Sequence, residues 1–394
     1  MTTNQIAFSI NASTLNNALS KVIGVVNKNP ASEYLSCVKL KINQGQLSIE
    51  ATNMDCVIKS YDDTVSNTTD GSICVDAHSL FEIIKKLPRE FDINFSLQSN
   101  GDSLQYLSIK SGKSKFDLAT LNAENYPETL VTIKEQTITM EIEELLFLVK
   151  KTQSCIYTNE TRYNINGMLL NFDKEANKIF GIATDGHRLA YSFVENKGIA
   201  NSQKVTIPRK IVLELKRILD SEKGTVKIDV SNSKVTFNFA NSSLTTKLID
   251  AEFPDYERVI PKDYIEYFSA NTKNLLSSID RVSSIYSSSV SEIGVRLHIS
   301  PSSLKITSIK DINKAFDELP ATFTMENEMQ IMCNFIYIKE VISLIDSPDV
   351  KIFVKDSNFP IMIKDAVDES FFYIIMPMKM WIKKMLDLCG KLII

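Results

Sequence analysis

The sequence predicts an α+β fold in which one domain plan is used three times, each copy packing two helices on antiparallel sheet. Three observations predict it. Strand-like and helix-like runs recur in the same order. The second helices, Phe81-Glu-Ile-Ile-Lys-Lys-Leu, Leu213-Glu-Leu-Lys-Arg-Ile-Leu and Lys339-Glu-Val-Ile-Ser-Leu-Ile, align on Glu82, Glu214 and Glu340. Each block closes on a proline-bearing segment, at Pro127, Pro254 and Pro377. The period is about 130 residues, domain-sized and longer than a solenoid repeat. The 394 residues are too many for one ordinary domain. The expected division is 1–130, 131–262 and 263–380, with an extra tail over 381–394.

In the first block Ile6–Ile10 alternates as a strand does. Ser13 or Thr14 can cap a helix with Leu15, Ala18, Leu19, Val22 and Val26 on one face. Strands follow at Val38–Ile42 and Gln46–Glu50, around a turn at Asn43–Gly45, and at Ile73–Val75. Asp76 can cap the second helix, Ser79–Leu87, and Phe91–Leu97, Leu104–Ile109 and Lys115–Leu121 complete the sheet. The second block repeats the order. Thr137–Ile142 is a strand and Glu143–Thr152 a helix with Leu145, Leu146, Leu148 and Val149 on its apolar face. Gly167–Phe172 and Ile179–Ala183 are strands, Val205–Ile207 leads through Pro208 into a helix ending near Leu219, and Val226–Val230, Lys234–Phe239 and Ser243–Ile249 are strands. In the third, strand Tyr267–Ala270 precedes helix Thr272–Ile285. Strands Gly294–Ile299, Leu304–Ile309 and Met329–Cys333 precede helix Ile336–Ile345, and Val350–Val354, Ile361–Lys364 and Phe371–Met376 are the last strands.

Composition narrows the function. Apolar residues make up 44% of the chain, enough for a real core in each domain. The net charge of −4 means that any nucleic-acid binding must rest on a local patch. The six cysteines stand singly, with no CxxC pair, and the three histidines, His78, His187 and His298, lie far apart. This argues against a zinc site or a disulfide framework and for a reducing cytoplasm. The start of the chain lacks the pattern of a signal peptide, and no apolar run reaches membrane-spanning length. Nucleotide-binding glycine loops, the nucleophile elbow and the zinc-protease motif are missing.

Basic residues recur on or beside the paired helices: Lys21 and Lys28, Lys85 and Lys86, Lys150 and Lys151, Arg209, Lys210, Lys216 and Arg217, Lys273 and Arg281. If these helices share one side, an acidic protein gains a surface that attracts phosphate without reading sequence. Two chains would supply about twelve helices. At roughly 10 Å each, a closed ring of them leaves a hole of about 28–30 Å, wide enough for duplex DNA. Outer sheets joined edge to edge would remove exposed strand edges.

Three motifs now carry a resemblance: Ala183-Thr-Asp-Gly-His-Arg-Leu-Ala190, Phe253-Pro-Asp-Tyr-Glu-Arg-Val-Ile-Pro261 and Tyr373-Ile-Ile-Met-Pro-Met378, supported by Arg162-Tyr-Asn-Ile-Asn-Gly-Met168 and Ile207-Pro-Arg-Lys210. Over residues 5–380 the chain resembles the bacterial β sliding clamps, processivity subunits of DNA polymerase III. The resemblance implies half of a closed, head-to-tail homodimeric ring that encircles double-stranded DNA and slides. It implies no catalytic activity, no cofactor and a bacterial cytoplasm. It also implies docking of the replicative polymerase subunit, a clamp-loader subunit and other proteins carrying motifs like Gln-Leu-Ser/Asp-Leu-Phe.

Matched positions imply a docking pocket of Ile165, Thr184, Gly186, His187, Arg188, Leu189, Pro254, Arg258, Val259, Ile374, Met376, Pro377 and Met378, with Asn334 and Tyr337 at its rim. Its aliphatic residues would accept a leucine and an aromatic, with Met adapting to the ligand, and arginine and histidine at the edges would hold polar groups of the peptide. The same matching places Lys28, Arg209 and Lys210 on DNA, and Phe116, Leu118 and Ile285 at the ring interface, where core packing is the alternative.

Asn164 and Lys379 depart from the family pattern, and so does the tail, whose Trp381, Met385, Leu388 and Leu392 fit a helical stripe. Met385-Leu-Asp-Leu-Cys389 loosely resembles the docking motif. The tail competes for a pocket, packs elsewhere or is disordered; the last two are favoured. Two other functions stand beside the clamp: a hydrolase using Asp185 and His187, which lacks a motif-level nucleophile, and a peptide-binding repeat scaffold that encircles no DNA.

Overall fold

The first helix shows how local sequence sets an element. Ala12–Val22 follows the strand Ala7–Asn11 and buries Ala12 together with Leu15, Ala18, Leu19 and Val22 of the expected face, while Val26 lies beyond the helix end. Its cap is Asn11 rather than Ser13 or Thr14. The Asn11 carboxamide accepts the Ser13 N–H at 3.0 Å and the Ser13 hydroxyl at 2.6 Å. Asparagine at a strand end already has the extended backbone that a cap needs, so Ser13 falls inside the first turn. Asp76 caps Ala77–Lys86 as expected, accepting the Ser79 N–H at 2.8 Å. The computed structural model describes residues 5–27, 32–100, 104–128, 130, 134–262, 264–286, 294–301, 303–310 and 312–378. Lys28, Lys379 and the tail 381–394 lie outside the described residues.

The chain forms two compact units. One holds residues 1–146 and 196–250, the other 147–195 and 251–394. The middle block is therefore shared between them, and each share extends a neighbour's sheet. In the first unit thirteen of the described strands make one sheet. Ser242–Lys247 of the middle block pairs antiparallel with Cys56–Asp62 of the first, Leu244 opposite Ile58. In the second unit Arg188–Glu195 pairs antiparallel with Phe371–Ile375, Leu189 opposite Ile374 and Tyr191 opposite Phe372. Both junctions use a strand that periodicity did not predict, Cys56–Asp62 and Arg188–Glu195. Ser66–Thr69, Asn313–Leu319 and Thr322–Phe323 are also unforeseen strands. The first two mix apolar and polar residues without clean alternation, and their extended form is stabilised by partners distant in sequence. The unit also holds a four-stranded sheet ending on Asn313–Leu319. Helices Thr272–Ser283 and Phe335–Ile342 end two and three residues before the expected ends.

Several cations expected on a phosphate-attracting face are held by acids. The Lys21 ammonium lies 2.7 Å from the Glu222 carboxylate, both largely buried. Arg217 bonds Glu214 at 2.6 Å and donates to the Lys21 carbonyl at 2.9 Å. Lys216 and Asp220 pair at 3.6 Å and Arg281 and Asp317 at 2.5 Å. Lys151 is buried. It donates to the Leu344 carbonyl, pairs with Asp346 at 3.2 Å and lies 4.0 Å over the Phe371 ring. Lys21, Lys151, Arg217 and Arg281 thereby join helices to neighbouring segments.

Gly24 leaves room for one of these contacts, because a Cβ there would lie 2.0 Å from Glu214 Oε2, an atom already held by Arg217. Gly24→Ala is expected to displace that carboxylate and, at an exposed position against the end of a flexible side chain, to cost about 0.5 kcal/mol or less. The measurement is a lower urea midpoint at unchanged m-value.

Candidate functional site

The site is built on the turn that enters Arg188–Glu195. Asp185 Oδ1 accepts the N–H groups of His187 at 2.9 Å and Arg188 at 3.0 Å. The Thr184 hydroxyl donates to the Arg188 carbonyl at 2.7 Å and accepts the Gly186 N–H at 3.1 Å. Gly186 sits at φ +88°, a conformation that glycine adopts without strain. Asp185 is thus spent on the turn and on Arg188, whose Nε lies 3.0 Å from Oδ2. Among the described residues no hydrogen bond joins the Asp185 carboxylate to the His187 imidazole, so the two do not form an acid–base pair.

The turn leads directly to the C-terminal motif. Strand pairing runs through Arg188 opposite Ile375, and the His187 carbonyl extends it by accepting the Met376 N–H at 2.8 Å. Leu189 and Ile374 then pack with Leu169, Ile182 and Tyr256, flanked by Phe253, Ile260, Tyr191 and Phe372. Residues of all three motifs therefore meet in one apolar cluster. Burial pushes the Tyr191 phenol up to about 12, with Tyr256, Glu257 and Asp173 adding to it.

The expected pocket residues separate by exposure. Ile165, Leu189 and Ile374 are buried. His187, Gly186, Pro254, Arg258, Val259 and Met376 are exposed, and Thr184, Tyr337, Pro377 and Met378 half-buried. Arg258 pairs with Asp255 at 2.7 Å. Met378 is carried onto the four-stranded sheet, where its N–H donates to the Met332 carbonyl at 2.7 Å.

Two expectations are corrected. Arg188 is no edge residue: it is 8% exposed and bonds Asp185, Glu340 at 2.5 Å and the Ser154 carbonyl at 2.6 Å. A buried guanidinium satisfied this fully is held in place and is not available to a ligand. The Asn334 amide oxygen is not free at a rim, because it caps Phe335–Ile342 by accepting the N–H groups of Ile336 and Tyr337.

Sequence reasoning missed two neighbours. Glu340 carried only a repeat-register signal. Arg162 stood in a quoted motif without a role; its Nη1 lies 2.9 Å from where a Cβ on Gly186 would be, and it is exposed. Cys155, beneath Arg188, is buried, and burial pushes its thiol up to about 12, so it stays protonated and unreactive at neutral pH. Among the described residues there is no cluster of three or more potential metal ligands, and no helix is long and apolar enough to cross a membrane.

Comparison with known proteins places this arrangement. Profiles of the DNA polymerase III beta subunit match in order: the N-terminal domain over residues 6–131, the central domain over 139–255 and the C-terminal domain over 257–379. The beta sliding clamp of Caulobacter vibrioides is 32% identical over 375 residues, covering 94% of this chain and 99% of that one. That of Escherichia coli is 28% identical over 373 residues, covering 95% and 100%. Among solved structures, the Caulobacter crescentus clamp superposes with a TM-score of 0.89 at 31% identity, covering 96% of this chain and all of that one. The Pseudomonas aeruginosa clamp bound to griselimycin also gives 0.89, at 28% identity over 95% of this chain and all of that one. The chain belongs to the DNA polymerase III beta subunit family, the beta sliding clamps.

The turn itself can be tested. Gly186→Ala forces a side chain into positive φ and against Arg162, and is expected to cost about 1 kcal/mol or more, read as a lower midpoint in urea.

Proposed function

We propose that two copies of this chain close head to tail into a ring that encircles double-stranded DNA without reading sequence. The ring slides, confers processivity on a replicative polymerase, and docks polymerase, clamp-loader and other partners through the site above. Family membership supports the clamp. The observation that carries the docking role is the pairing of Leu189 with Ile374, which gathers three separate motifs beneath one exposed rim. Ile165, Leu189 and Ile374 are the floor. Thr184, Gly186, His187, Pro254, Arg258, Val259, Tyr337, Met376, Pro377 and Met378 are the contact residues, while Arg188 and Asn334 hold them from behind. Met376, 44% exposed beside this floor, is the kind of side chain that adapts to several ligands.

Residues 1–130, 131–262 and 263–380 are the three clamp domains in this reading. The protein is a non-catalytic accessory subunit of the cytoplasm. The spent carboxylate of Asp185 and the free buried cysteines are consistent with both statements.

Arg209 and Lys210 are the DNA contacts we propose among the described residues. They open the helix Arg209–Leu219, whose cap residue, Pro208, makes no side-chain cap bond. Cations at a helix N-terminus oppose the macrodipole, and a phosphate there would be favoured by both. For ring closure, Ser114–Asn122 offers an edge. Residues 114–119 pair with Leu104–Ser111 on one side, and among the described residues only 120–122 pair on the other. Phe116 is exposed and Leu118 half-buried on this strand, and Ile285 is half-buried. Asn313–Leu319, the outer strand of the four-stranded sheet, carries Phe316 at 73% exposure and is the matching edge on the partner copy.

Loaded on nicked circular DNA, the protein should stay through a gel-filtration column and slide off once that DNA is cut to a linear form. A protein that binds Gln-Leu-Ser-Leu-Phe but is never retained on circles is a scaffold and no clamp. Phe116→Ala combined with Leu118→Ala should weaken dimerisation by about thirtyfold or more, seen as monomer in sedimentation with an unchanged circular dichroism spectrum.

A further inference from the structure

The glutamate that marks the repeat occupies one register in three helices and has three different contacts. Glu82 lies 3.9 Å from Lys86 on its own helix, and both are exposed. Glu214 is bound by Arg217, also on its own helix. Glu340 alone of the three reaches an arginine from a distant segment, placing Oε2 2.5 Å from Arg188 Nη1.

That contact lies behind the exposed rim of the docking site. Tyr337 and Glu340 are one turn apart on Phe335–Ile342 and share a face. Between them they bracket the Arg188 guanidinium, with the Tyr337 ring 4.3 Å from its central carbon and the Glu340 carboxylate at Nη1. On the neighbouring residue, the His187 ring stands 6.5 Å from Tyr337 at an interplanar angle of 24°. The His187 carbonyl holds Met376 through its N–H. One guanidinium thus ties the helix of the third repeat to the turn carrying His187, and through it to the segment carrying Met376.

We infer that Glu340 is a positioning residue of the docking site: through Arg188 it holds Tyr337 against the His187 turn, so that both rings meet the partner peptide in register. The inference rests on the docking role proposed above. Glu340 does not carry the fold. Without it, Asp185 still neutralises Arg188, the turn keeps its backbone hydrogen bonds and the strand pairing is untouched. The Glu340 side chain is 44% exposed, so its removal should cost little stability. What it removes is the reason for Nη1 to stay between the carboxylate and the Tyr337 ring.

The test uses the full-length protein and the synthetic peptide Gln-Leu-Ser-Leu-Phe. Peptide affinity is measured by calorimetry, and the imidazole proton resonances of the three histidines are recorded, with His187→Gln serving only for assignment. Glu340→Ala is expected to weaken the peptide by about fivefold, the upper range for a partly exposed ion pair. It should also move the His187 resonance out of the Tyr337 ring current toward the free-histidine value. Glu340→Gln, which keeps an acceptor for Nη1, should recover part of both, and an unchanged urea midpoint shows that each variant is folded. Binding within twofold of wild type in both variants overturns the inference. So does weakened binding with the His187 resonance unmoved, because Glu340 would then act on the peptide itself. A wild-type protein that does not bind the peptide overturns the docking role first, and the inference with it.

Discussion

Main-chain pairing between Arg188–Glu195 and Phe371–Ile375 is the contact on which the site depends. Each strand would otherwise be an edge, with a row of backbone N–H and C=O groups unpaired or open to foreign chains. Joined, they form the interior of a continuous sheet, and the register sets Leu189 beside Ile374. The side-chain period of a strand is two, so a one-residue slip would turn these residues to the other face and dissolve the apolar cluster. Cys56–Asp62 and Ser242–Lys247 solve the same edge problem in the other unit.

The chemistry of the central turn follows from the same pairing. An aspartate and a histidine two residues apart invite a catalytic reading, but the strand must begin immediately after them. The turn that starts it consumes Asp185 as an acceptor of two backbone N–H groups. Its remaining oxygen neutralises Arg188, a charge too costly to bury without partners. What is left exposed is a ring, a glycine and the thioether of Met376, a flexible type of side chain that suits contact with a peptide better than bond-breaking.

Charge is distributed by the same economy. The helices carry many cations, yet Lys21, Lys151, Arg217 and Arg281 lie against carboxylates and hold helices to neighbouring segments. A lysine in sequence is a positive charge, but its field at a distance depends on whether an acid lies within hydrogen-bond reach. Counting cations on helices therefore overstates a phosphate-attracting surface. Arg209 and Lys210 stand at the positive end of the macrodipole of their helix.

Much of the architecture was legible in order along the chain. Helix faces, the Asp76 cap, most strands and the threefold plan follow from periodicity and capping, which act over a few residues, and the family could be read from three short motifs. Asn11 outcompeted Ser13 as a cap because backbone conformation, and not residue type alone, decides who caps. The strands that join the blocks were not legible, because their extended form is stabilised by partners distant in sequence. Nor was the burial of Arg188 or the selection of Glu340 from three equivalent glutamates. Local pattern determined which elements form and which face of each is apolar. The tertiary structure alone decided which edges meet, which charges cancel and which side chains are left at the surface, because those energies depend on distances that the order of residues does not contain.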